Sequence, residues 1–308
     1  MKLAKALFGI CVLLVSLVLL VSQSIRHNHI EVFEAGNIST EAVEYGTSFS
    51  ESGTELYFAR SHDAWGSGAM KSFIYFSKQE EGNWSAPQIV SFSGQYDDSD
   101  PHLAKDGNSL FFISQRPSSP TVPLSADIWV VDKDSLGMWG TPYRMHEPIN
   151  SVYREYSPCT DKFGNLYFAS DRTGGFGQGD LYQAQLDNGS YNNPINLGRA
   201  INSSTGEWNL EVNEAGTLII FEASQREQNI SSYGDLYISF LSDGIWSIPQ
   251  HLVELNTSGS ELNPHLAQQE KFLFFSSSDS LNSPVTNLYY TDFSSINQKY
   301  KQTAIFVK

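Results

Sequence analysis

An all-β chain made of five copies of one unit is predicted by three features of the sequence. An apolar strand signal recurs at nearly constant spacing. A second strand signal follows each copy, and an aromatic-x-x-Pro unit closes four of the five. Short strands repeated at a period of about 40–55 residues mark a propeller and not a helical solenoid.

The first strand of each unit is anchored by Leu56, Leu110, Leu166, Ile219 and Leu273, with separations of 54, 56, 53 and 54 residues. The second runs over Phe73–Phe76, Asp127–Val130, Asp180–Gln183, Asp235–Ile238 and Asn287–Tyr290. Both are aromatic and β-branched, and Gly, Asn, Asp and Pro separate them. The closing units start at Trp84, Trp139, Tyr191 and Trp246 and end at Pro87, Pro142, Pro194 and Pro249; the fifth repeat has none. One five-bladed β-propeller follows, with blades near Glu44–Tyr96, Asp97–Arg154, Glu155–Thr205, Gly206–Gly259 and Ser260–Thr291. The fifth blade lacks an outer strand. Ile30–Phe33 stands to Glu44 as Ile195–Leu197 stands to Glu207, so we expect it to close that blade and leave no open sheet edge. The tail Ala304–Val307 competes for the place. No helical periodicity is evident beyond the first 25 residues.

Composition agrees with this reading. Aromatics make up 13% of the 308 residues and charged residues only 17%, as suits half-buried strand faces. The net charge of −15 repels nucleic acid and anionic lipid, and no basic cluster offsets it. Met1 to Ser24 reads as a targeting segment: Lys2 and Lys5 precede an apolar run from Ala6 to Val21. It fits either a cleaved signal peptide or an N-terminal membrane anchor, and both export the propeller. Cys11 sits in no convincing lipobox. We therefore divide the chain into residues 1–24, a linker with the closing strand over 25–43, the propeller over 44–291 and a tail over 292–308. Cys159 is expected to be a buried thiol. Six Asn-x-Ser/Thr sequons, at Asn37, Asn83, Asn188, Asn202, Asn229 and Asn256, matter only in a eukaryotic secretory pathway.

Several constellations are candidates for chemistry. Glu44, Asp98, Glu155, Glu207 and Glu261 precede the innermost strand of each blade, where they would converge near one channel mouth and bind a cation, a peptide or a sugar. Arg60, Arg116, Arg172 and Arg226 follow the anchor strand in four repeats, so carboxylate–arginine pairing is the structural alternative. Glu261 has no arginine in its repeat and is expected to be the free member. Asp97, Asp100 and Glu211 are further acids near the mouth. Asp127, Asp180 and Asp235 read as turn caps. The Gly174–Gly179 loop lacks nucleotide-binding spacing and reads as a wide turn using positive φ. His102, His265, Cys159, Glu211 and Ser48 occupy equivalent positions on converging strands, a mixed set that raises a metal reading beside simple packing. No nucleophile elbow or His/Asp partner set is present, and no cofactor is expected.

The third repeat carries the fullest motif: Glu155, Pro158, Leu166, Tyr167, Phe168, Ser170, Arg172, Gly174, Gly175, Gly177, Asp180, Leu181 and Tyr182. This resembles the TolB-type, WD-repeat-like propeller repeats of bacterial envelope proteins over roughly Glu44 to Thr291. Thr47 in place of proline and Asn287 in place of aspartate depart from the pattern. The resemblance implies a propeller in the periplasm or on the outer face of the cytoplasmic membrane. Together with the export signal it points to a monomeric, non-catalytic domain that binds a protein or glycan. The alternative is a five-bladed carbohydrate-active enzyme, hydrolase or lyase, using channel-mouth carboxylates.

Overall fold

The computed structural model describes residues 30–64, 67–68, 70–117, 125–231, 233–278 and 283–307; the targeting segment lies outside them. Among these residues, five small antiparallel sheets stand in a ring, a five-bladed β-propeller. The innermost strands are Val43–Phe49, Asp98–Leu103, Glu155–Thr160, Gly206–Val212 and Glu261–Ala267. Each contacts the innermost strand on either side, and the last returns to the first. The anchor strands come next, and the strands opening at Ser72, Asp127, Asp180, Asp235 and Asn287 lie outside them. In blades 1 and 4 the aromatic-x-x-Pro unit folds the long third strand back on itself, pairing Trp84 with Gln79 and Trp246 with Leu241. Tyr191 of blade 3 pairs with Leu186 in a small hairpin of its own.

The N-terminal segment closes the ring as expected. Glu31–Val32 pairs with the third strand of blade 5, Glu31 opposite Tyr290. Phe33 anchors it, with its ring edge-on to those of Phe49, Trp84, Phe274 and Tyr290 at 5.2 to 5.9 Å. The competing tail goes elsewhere: Ile305 accepts a backbone hydrogen bond from Ile248 in blade 4.

The core is a set of wedges between blades. Leu56, Leu110, Leu166, Ile219 and Leu273 are all fully buried, and each packs against the neighbouring blade. Leu166, for example, joins Ile113 and Ile128 of blade 2. One element was not foreseen, helix α1 over Ser294–Gln302. Only Ile296 and Tyr300 within it are buried, too short an apolar stripe to register as periodicity. Among the described residues no helix is long and apolar enough to cross a membrane.

Leu166→Ala empties a wedge between blades 2 and 3. It should cost about 2–5 kcal/mol, read as a lowered midpoint in urea unfolding; an unchanged midpoint would contradict the repeat alignment.

Candidate functional site

The five repeated acids lie in the seams between blades. The backbone N–H of Glu44, Glu155, Glu207 and Glu261 each bonds to a carbonyl of the preceding blade. In every repeat the acid side chain is fully buried. Four meet the arginine of their own blade: Arg60 on Glu44 at 2.9 Å, Arg116 on Asp98 at 2.8 Å, Arg172 on Glu155 at 2.9 Å and Arg226 on Glu207 at 2.7 Å. Each guanidinium also lies over an aromatic ring, of Phe58, Phe112, Phe168 or Phe221, at 4.9 to 5.2 Å. It also donates to the carbonyl of Ile38, Phe92, Ile149 or Ile201 in the linker. Arg60 leaves the chain four residues past its anchor and Arg172 six past its own, yet both guanidinium groups reach the same place.

A second set of donors escaped the sequence reading. Thr40, Ser151, Ser203 and Thr257, four residues ahead of the acid, each donate a hydroxyl at 2.6 to 2.7 Å and a backbone N–H. Ser93 serves Asp98 from five residues ahead, since the shorter side chain moves the carboxylate. The residue before each of the four grips the third strand of the previous blade. Asn150 brackets Ile128, Asn202 brackets Leu181, Asn256 brackets Leu236 and Ser39 brackets Leu288. Two of these asparagines, Asn202 and Asn256, are sequon residues; they are buried and inaccessible to glycosylation.

Glu261 corrects an expectation. It lacks an arginine but is not free: Thr257 and Ser277 supply its hydrogen bonds. Burial raises its carboxyl above the ordinary value while those bonds pull it down. Burial also keeps Glu155 raised, against Ser151 and Arg172.

The histidine set has a common task. Its members accept a backbone N–H from the next blade round the ring. Ser48 takes it from Leu103 at 2.8 Å, His102 from Thr160 at 3.0 Å, Glu211 from Leu266 at 3.2 Å and His265 from Phe49 at 3.2 Å. Cys159 takes the N–H of Val212, and burial pushes its thiol well up, which makes it inert. His265 accepts at Nε2, so Nδ1 carries the proton toward Glu211 Oε1 at 3.4 Å. Burial would raise Glu211, but the two histidines and Lys105 hold it below the usual value. Burial lowers His102 to about 4. The channel here has room for about one water, and no group of three metal ligands exists among the described residues.

Two remaining expectations divide. Asp180 and Asp235 cap their turns, accepting the N–H of Phe176 and Gly177, and of Ile230 and Ser231. Asp127 holds Arg144 with both oxygens; the turn it was expected to cap lies outside the described residues. In the glycine loop only Gly174 uses positive φ. Gly177 is required for close approach, since a Cβ would lie 1.9 Å from the Thr205 carbonyl oxygen.

Two acids outside the repeat pattern, Asp100 and Glu222, are linked through side chains of the innermost strands. Each innermost strand bulges after the seam acid. Asp100, Ser157 and Asn263 adopt left-handed φ there, a conformation that costs non-glycine residues energy and clusters at functional sites. Asn263 donates to Asp100 at 2.8 Å and to Asn209 at 2.9 Å, and Asn209 donates to Glu222. Glu222 stands three residues past its anchor, where the other repeats carry Ala59, Ile113, Ala169 and Ser276. Gly234 makes room for it; a Cβ there would lie 2.3 Å from Glu222 Oε1. Burial is the main cause that raises Asp100 to about 6 and Glu222 to about 8. Tyr156 and Trp208 meet edge to face nearby, at 5.9 Å.

No family model matches the chain, and no curated protein matches it in sequence. Among solved structures it is similar to a TolB-assigned protein from Agrobacterium tumefaciens, with 14% identity, 82% of this chain and 77% of that one covered, and a TM-score of 0.51. It is also similar to a family 117 glycoside hydrolase from the marine bacterium Zobellia galactanivorans, at 11% identity, 86% and 90% coverage and a TM-score of 0.51. At these identities the likeness is one of fold.

Two outcomes follow. Arg172→Ala leaves the Glu155 charge buried without its cation, held only by Ser151 and Ser170, and should cost about 3–5 kcal/mol in chemical denaturation. For Glu222, the raised folded pKa means a contribution fully present below the unfolded value, about 4.3, and lost as pH rises through about 8. Wild type should therefore lose stability relative to Glu222→Gln as pH rises from about 4.3 to about 8 and level off above it. Parallel pH profiles for the two proteins would refute the buried, neutral carboxyl.

Proposed function

We propose that the chain is an exported, non-catalytic propeller of the TolB-like repeat type that binds a protein or glycan partner in the bacterial cell envelope. The observation that carries this reading is the state of the repeated carboxylates. Four are consumed by arginines and the fifth by hydroxyls, so the column offers no bare pair for acid–base chemistry. The apolar run ahead of the propeller supports export, to the periplasm or the outer face of the cytoplasmic membrane. The net charge of −15 disfavours nucleic acid and anionic surfaces as partners.

One observation favours a second reading, a carbohydrate-active enzyme. Asp100 and Glu222 are joined through two asparagines, and their environments hold one mostly ionised and the other mostly neutral near pH 7. Carboxyls pushed apart in this way are the usual mark of an acid and base pair.

One experiment separates the readings: affinity capture from envelope extract with the full chain as bait, beside reducing-sugar release from a polysaccharide panel. Specific capture with no hydrolysis is the expected result. Hydrolysis abolished by both Asp100→Asn and Glu222→Gln would replace the binding reading with the enzymatic one.

A further inference from the structure

A cleft of about 480 Å³ lies between blade 4 and the C-terminal segment, within the ~300–1,000 Å³ usual for ligand sites. Leu218 and Phe240 supply an apolar floor from the blade, and Ala304 and Phe306 from the tail. The helix above it breaks the rule for a packed face. Phe293, Ile296 and Tyr300 are buried in the cluster beneath. Asn297 and Lys301, each one position further along and thus on the same side, line the cleft instead. The Asn297 side-chain oxygen is buried without a hydrogen-bond partner. Its amide makes no side-chain hydrogen bond among the described residues. Asn297 as a whole is half-buried, but a buried carboxamide oxygen with nothing to accept from is costly, and its half-exposed nitrogen keeps both donors open toward the cleft.

We infer that this cleft binds an extended segment of a partner protein, seating one bulky apolar side chain on the Leu218–Phe240–Phe306 floor while Asn297 bonds its peptide group. A carboxamide offers one acceptor and two donors, the complement of a backbone C=O and N–H, and an uncharged peptide group suits it better than an ion does. Lys301 and Glu270 flank the cleft with opposite charges, so neither sign of ligand is selected. The inference rests on the partner-binding reading above and names a surface and a chemistry for it.

The test is a library of acetylated, amidated tetrapeptides screened against the full chain, with Asn297→Leu, Phe306→Ser and Lys301→Ala beside it. Peptides with Leu, Ile, Met or Phe at one position should be enriched. Asn297→Leu should weaken them by about tenfold or more while melting at or above the wild-type temperature. Phe306→Ser, a change at a partly exposed site, should weaken them as well. Lys301→Ala should leave peptide affinity within about twofold, as an exposed charge that makes no ion pair with the peptide. No enrichment, or equal binding by Asn297→Leu, overturns the proposal, as does binding of lauric acid that depends on Lys301 in place of peptide. If envelope capture succeeds and is indifferent to Asn297→Leu while peptides fail, only this cleft is refuted. If peptides bind while capture fails, the envelope partner is refuted and the cleft stands.

Discussion

The buried seam carboxylate is the interaction on which the rest of this propeller depends. A fully desolvated charge is tolerable only when its partners are complete, and here the partners come from both sides of a blade boundary. The linker hydroxyl and N–H ahead of Glu155 belong to Ser151, whose neighbour Asn150 is bonded to blade 2. Arg172 and Ser170 belong to blade 3. One carboxylate thus fixes the linker, the innermost strand and the anchor strand at once. Blade 5 shows what the arrangement can spare: hydroxyls remain and the arginine does not.

A second constraint runs round the channel. Serine, two histidines, cysteine and glutamate look like a collection of reactive groups, yet their shared act is to accept one backbone N–H from the next blade. An acceptor of suitable reach satisfies the position, so its chemistry varies freely between repeats. What the fold asks of these residues is a lone pair, whatever their type.

The ring itself was legible because every blade buries the same anchor against its neighbour, which forces Leu56, Leu110, Leu166, Ile219 and Leu273 into a period. The closing strand was legible because its place in the repeat was vacant. The Ser/Thr ahead of each acid was hidden by a geometric accident: Asp98 is one methylene shorter and draws its serine from a different offset. Glu222 was hidden because only one repeat carries it, so no column contains it. Departures of that kind are where function separates from architecture in a repeat protein. Glu222 is a buried acid where three of the other four repeats carry Ala59, Ile113 and Ala169, and the Asn297 oxygen is buried without a partner.

Native-state hydrogen exchange at Thr40, Ser151, Ser203 and Thr257 tests the central claim most directly, since each of these N–H groups donates to a seam carboxylate. If the carboxylates lock the ring, these amides exchange only through global unfolding, with the same free energy as the anchor strands. Exchange by local opening, at a free energy well below the global value, would show that the seams breathe independently and contradict the account.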